Sequence, residues 1–153
     1  MELQDLKKGV IKKIEMLLDE KILTLESALK QTQEASNNNS KSTAGDKHDT
    51  ERAMAQLEIE KLQKQLHNTL LEKQNFNKSI LHENKSGNIA PGSLIKLNDT
   101  FIFIACALGK ISVNGTDVFV ISKEAPVAKV LLGKELNSSV ILNNKKSLIL
   151  DIK

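Results

Sequence analysis

Tryptophan and tyrosine are absent from this chain, and cysteine, proline and phenylalanine are scarce: one Cys, two Pro and four Phe in 153 residues. A single Cys cannot build a disulfide framework. Cys106 lies in the apolar run Phe101 to Leu108 and reads as a small buried hydrophobe rather than a reactive thiol. The sequence also lacks any run of about 18 consecutive apolar residues, so no membrane-spanning helix is expected. Its first residues, Met1-Glu2-Leu3-Gln4-Asp5, carry acids where an export signal has a basic end and an apolar stretch. The expected compartment is the cytoplasm, with no membrane partner. An excess of either sign of charge is nearly missing too, with 22 Lys plus Arg against 19 Asp plus Glu for a net of +3. Neither clustered basic residues nor interleaved aromatics mark a surface that tracks nucleic-acid phosphates.

The residues that are present divide into two stretches. Residues 1–84 are rich in Leu, Lys, Glu and Gln, contain no proline and carry a net charge of −1. Residues 85–153 hold both prolines and three of the four Phe, and their net charge is +4. From Glu2 to about Glu34 the apolar residues Leu3, Leu6, Val10, Ile14, Leu17, Leu25 and Ala28 recur in steps of three and four or their sums, which predicts a long amphipathic helix. From about Thr50 to Glu83 the series Ala55, Ile59, Leu62, Leu66 and Leu70 predicts a second helix of matching length. One polar connection, Ala35 to Gly45, lets the two stripes pair within one chain at small loop-closure cost. The prediction for residues 1–84 is therefore an antiparallel coiled-coil hairpin in a monomer, with a solvated tip at 36–50.

A polar stretch with Gly and Pro together, residues 85–92, reads as a linker. Beyond it the apolar period shortens, giving strand candidates at 93–97, 101–108, 111–113, 118–122, 139–142 and 148–152. Asn114-Gly115 is the strongest hairpin signal between them. Pro126 suits the first turn of a short helix that Gly133 would close, with Val127, Val130, Leu131 and Leu132 turned inward as a lid on a small core. The fold class is thus α+β, with the small β-rich domain at 93–153.

No Gly-rich phosphate loop, paired metal-ligand motif or nucleophile with a base at motif spacing occurs, and His48, His67 and His82 fall at the tip or on the second helix. An accessory protein is expected rather than an enzyme. The chemistry that remains is at the tip, where Asp46 and Asp49 stand three residues apart and share a face if the helix has begun. Two readings stay open. Thr43-Ala44-Gly45-Asp46 fits a capping box, and acids in a first turn suit the helix dipole. Alternatively, Mg²⁺ takes one or two protein carboxylates and fills its shell with water and phosphate oxygens, so exposed acids can be lent to another macromolecule's metal site.

The segment Ile121-Ser122-Lys123-Glu124-Ala125-Pro126-Val127-Ala128-Lys129-Val130-Leu131-Leu132-Gly133-Lys134 resembles the I-S-x-x-S-P-[IL]-G-[KR]-A-L-L-G-K signature of the bacterial GreA/GreB transcript-cleavage factors. Ala44-Gly45-Asp46-Lys47-His48-Asp49-Thr50-Glu51 is similar to that family's tip segment H-G-D-L-K-E-N-A, with Asp49 where the family has Glu and Lys47 and His48 adding positive charge. The resemblance spans nearly the whole chain and implies an FKBP-like C-terminal domain that docks at the secondary channel of bacterial RNA polymerase. It further implies a transcription elongation factor whose tip acids assist the polymerase-bound Mg²⁺ near the 3′ end of nascent RNA, so that backtracked transcript is cleaved. Carried over by position, Asp46 and Asp49 would be the metal-assisting pair, with no metal held in isolation, and Ser122 and Pro126 would belong to the docking surface. A Pro at a helix start with a Ser before it is also ordinary cap chemistry. Two alternatives stand beside this one: a channel-binding regulator that does not promote cleavage, and an FKBP-like binding or prolyl-isomerase module. Against the last, Phe101, Phe103 and Phe119 alternate as core residues would.

Overall fold

The computed structural model describes residues 2–39, 45–81 and 86–153, with backbone only at 39 and 45–48. Two long helices lead the chain, α1 over Leu3–Asn39 and α2 over Gly45–Leu81, each of 37 residues. At 1.5 Å per residue each is about 55 Å long. Both overrun the expected ends. Ala35–Asn39, read above as part of the tip, continues α1, and α2 begins at Gly45 instead of Thr50. Adding residues to an existing helix costs little once the nucleus has formed, so polar Ser and Asn residues extend it where they remain in solvent. The residues between, 40–44, lie outside the described part, as does the capping box through Thr43.

The C-terminal part is the expected α+β arrangement, with β1 (Leu94–Lys96), β2 (Phe101–Ile104), β3 (Gly109–Val113), β4 (Thr116–Ile121), α3 (Pro126–Leu131), β5 (Ser139–Leu142), β6 (Lys145–Leu148) and β7 (Asp151–Ile152). Five strands form one sheet in the order β3-β4-β2-β1-β7, in which β2 and β4 run parallel, and β5-β6 make a separate ribbon. Two expected strands are shorter or broken. The run 101–108 leaves the sheet after Ile104, and 148–152 divides between β6 and β7. Both tight hairpins use left-handed residues, Asn114 with Gly115 and Asn143 with Asn144, as a type I′ turn requires.

By its internal contacts the chain divides into two compact units, residues 1–15 with 72–153 and residues 16–71. In the first, the sheet buries both faces. One packs Ile95, Ile102 and Ile104 against Ala128 and Leu131 of α3, with Val140 and Ile149 closing the cluster. Val130 does not turn inward as expected and is exposed. Register puts Leu94, Phe103, Val118, Val120, Ile111 and Val113 on the other face. The buried stripe Leu3, Leu6, Val10 and Ile14 of α1 belongs to this unit, and Gly9 brings α1 close against Val113. Glu72 of α2 adds a tie, accepting a 2.7 Å hydrogen bond from the Ala107 N–H. The second unit, 16–71, buries Leu18 and Leu25 of α1 and Ile59, Leu62 and Thr69 of α2.

Residues 86–92 do not form a free tether. Ile89 is buried, its N–H donates to the Lys134 carbonyl at 2.9 Å, and its carbonyl accepts from Gly133 at 2.7 Å. Gly92 is buried at φ +90°, where a side chain would collide with the Ser79 carbonyl. The Gly-Pro composition serves a tight path here, not flexibility.

Candidate functional site

Asp46 and Asp49 are the second and fifth residues of α2. Residues three apart on a continuous helix are surface neighbours, so the condition set by the sequence, that the helix has already begun, is met for the backbone. Asp49 is exposed, while the side chain of Asp46 lies outside the described residues. Carboxylate oxygens are hard donors that suit Mg²⁺, but two of them leave most of an octahedral shell to other ligands. Among the described residues no group of three or more His, Cys, Asp or Glu is arranged to hold a metal. The donor chemistry of Asp46 and Asp49 fits a contribution to a shared site. His67 is exposed on α2; the side chain of His48 and all of His82 lie outside the described residues.

Ser122 and Pro126 bracket the turn from β4 into α3. The Ala125 N–H donates to the Ser122 carbonyl at 3.1 Å, closing a turn that leaves Lys123 and Glu124 exposed. The helix cap is Ala125, with extended φ and ψ and no side-chain hydrogen bond, and Pro126 follows at the start of α3. Pro126 thus has its ordinary helix-start role, but Ser122 does not cap the helix. Pro126 is exposed and Ser122 half-buried.

Ile121 and Val127, the sequence neighbours of Ser122 and Pro126, line a cavity that those two residues themselves do not: with Leu97, Ile102, Phe119 and Leu142 they form the apolar lining of a space of about 440 Å³ that no sequence motif announces. Phe119 departs from expectation. Phe101 and Phe103 pair with Val118 and Val120 on one sheet face, with Phe103 fully buried. Phe119 pairs with Ile102 on the other face and remains 42% exposed. Only the parallel β2-β4 register separates the three, and that register joins segments distant in sequence.

Cys106 is fully buried. Burial, with the nearby Glu72 carboxylate as a second cause, pushes its thiol up to about 12. A thiol with so little thiolate near neutrality is a weak nucleophile, as expected from the sequence. Glu72, Gly9 and Gly92 escaped sequence reasoning, since each acts through a partner far along the chain.

No protein-family model matches this chain, and none of the curated proteins matches it.

Proposed function

We propose that this chain is a transcription elongation factor of the GreA/GreB type, which binds bacterial RNA polymerase through its C-terminal part and lends Asp46 and Asp49 to the polymerase active centre, stimulating cleavage of backtracked RNA. In this reading α1 and α2 pair as an antiparallel coiled coil, the β-rich part is FKBP-like, and the protein acts in the cytoplasm as a monomer. The observation that carries it is the start of α2 at Gly45, which makes Asp46 and Asp49 part of one helix surface at its N-terminal end. The resemblance of 44–51 and 121–134 to the two family segments supports it, and so does the exposure of Pro126 beside a half-buried Ser122.

Mg²⁺ bound at the polymerase supplies charge neutralisation and an acidified water for phosphodiester hydrolysis. Asp46 and Asp49 would contribute carboxylate oxygens to that ion, and polymerase and RNA would supply the other ligands. Lys47 lies between the two acids in sequence, a positive charge that opposes metal delivery and that marks the non-cleaving regulator as the alternative. The chain is an accessory and has no self-contained active site in this account.

A second reading has one observation in its favour. The cavity is concave and partly apolar, with half-exposed Phe119 as its single aromatic lining residue, which is the setting a small binding module uses. Binding to purified polymerase separates the two. The elongation-factor reading expects the full chain to bind bacterial core polymerase, with Ser122→Arg and Pro126→Arg weakening binding and Phe119→Ser changing it less. Absence of binding, or loss through Phe119 alone, overturns it.

A further inference from the structure

Asn114-Gly115 makes the two-residue turn between β3 and β4, with both residues left-handed, at φ 51° and 81°, and both exposed. Asn114 is also the one asparagine in the chain that a glycine follows. The side-chain carbonyl of an asparagine lies within reach of the next residue's backbone nitrogen, and attack by that nitrogen closes a five-membered ring. Three things ordinarily hold the reaction back: a side chain that crowds the nitrogen, a hydrogen bond that occupies its N–H, and packing that shuts out water. None of them acts on Gly115. A Cβ built there meets nothing within 4 Å, and among the described residues no hydrogen bond holds its N–H. The other left-handed asparagines differ. Asn137 is followed by Ser138, whose N–H is tied to the Glu135 carbonyl at 3.2 Å, and Asn143 and Asn144 each precede a residue with a side chain.

We propose that Asn114 is a site of spontaneous modification. The Gly115 nitrogen bonds to Cγ of Asn114 while the Cγ–Nδ2 bond breaks; the proton shed by the attacking nitrogen departs with Nδ2 as ammonia, leaving a succinimide. Water then opens one of the ring's two carbon–nitrogen bonds. Opening at Cγ restores the backbone with an aspartate side chain, and opening at the main-chain carbonyl leaves the chain running through Cγ, as isoaspartate. The sum is asparagine plus water to aspartate or isoaspartate plus ammonia, with no change of oxidation state. The hairpin restrains Asn114 and slows the attack below its rate in an unfolded chain, so the conversion is gradual.

Isoaspartate is the product with the larger structural effect. It adds one carbon to the main chain of a turn whose two residues fix the register of the hairpin, so the pairing of Val113 with Thr116 is lost. β3 is an edge strand, paired only with β4. It also carries the buried Val113 that Gly9 of α1 closely approaches. Conversion at one exposed turn therefore loosens the sheet edge and the packing of α1 against it. The inference does not depend on the function proposed above.

The test ages the full chain in mildly alkaline buffer at physiological temperature and follows the tryptic peptide 111–123 by mass spectrometry. Isoaspartyl methyltransferase with a labelled methyl donor counts the isoaspartate. Peptide 111–123 should gain about 1 Da and accept methyl label before any other asparagine-containing peptide, more slowly than in the urea-unfolded chain. Its rate should rise about tenfold per pH unit, because the attacking nitrogen must lose its proton. Asn114→Gly keeps a residue suited to the left-handed turn and removes the amide, so it should abolish both signals. Amide exchange at Ile111 and Val113 should quicken about tenfold in the isoaspartyl fraction and stay unchanged in the aged Asn114→Gly chain. The proposal is overturned if 111–123 remains unmodified, if Asn137, Asn143 or Asn144 converts as fast, or if exchange on β3 quickens equally in aged Asn114→Gly.

Discussion

Replacing Gly9 by Ala sets two effects of opposite sign against each other. Gly9 lies inside α1, where Ala is ordinarily favoured over Gly by about 0.5–1 kcal/mol. Here the added methyl would lie 2.7 Å from Cγ1 of Val113, a side chain buried on β3. Forcing extra carbon into a filled core typically costs about 1–3 kcal/mol. The clash wins, and Gly9→Ala should lower the stability of the unit containing β3 by about 1 kcal/mol. Val113→Ala alone should also destabilise, by about 1–2 kcal/mol of lost burial. In that background the obstruction is gone, and Gly9→Ala should become neutral or stabilising, so the two substitutions couple by about 1–2 kcal/mol. With neither Trp nor Tyr in the chain, urea unfolding is best followed by far-ultraviolet circular dichroism, with amide exchange on β3 and β4 reporting this unit separately. If Gly9→Ala stabilises the native protein and the pair is additive, the close approach of α1 to the sheet is wrong.

Gly92→Ala should be more damaging, by about 2–4 kcal/mol, because it combines a left-handed backbone with overlap on the Ser79 carbonyl, which cannot rotate aside; a change in thermal midpoint below about 2 °C would contradict this. The Cys106 thiol, raised to about 12, should resist alkylation near neutral pH unless the protein unfolds. Its sign on stability follows from linkage: above pH 9 the unfolded thiol ionises while the folded one keeps its proton, so stability falls from about pH 9 toward 12, by roughly 1 kcal/mol at pH 10. Cys106→Ala should remove that part of the alkaline decline, and an unchanged alkaline profile would contradict the assignment. Glu72→Gln removes the carboxylate charge while keeping an oxygen acceptor for the Ala107 N–H. It should lower the thiol pKa, seen as faster alkylation at alkaline pH with little change in melting temperature.

The architecture was legible where it rests on local chemistry. Helical spacing announced α1 and α2, Asn114-Gly115 announced its hairpin, and Pro126 with Gly133 bounded α3 within a residue or two. Helix ends were not legible, because Ala35–Asn39 contains residues of loop composition that an established helix simply carries onward. The anchoring of Ile89 and Gly92 was hidden for a related reason: Gly and Pro mark a special path, and only partners such as Lys134 and Ser79 decide whether it is a free tether or packed. At the candidate site, sequence named Asp46, Asp49, Ser122 and Pro126 but not the neighbouring cavity. Phe119 enters it through pairing with Ile102, a long-range register that local alternation does not contain.

The central claim is that Asp46 and Asp49 serve another machine's catalytic centre. Stalled, backtracked bacterial elongation complexes in Mg²⁺ test it most directly, by release of short 3′ RNA fragments with and without the full chain. The account predicts that the native chain accelerates release and that Asp46→Ala with Asp49→Ala abolishes the acceleration while polymerase binding persists. Equal release with and without the native chain, or acceleration that survives loss of both carboxylates, would contradict it.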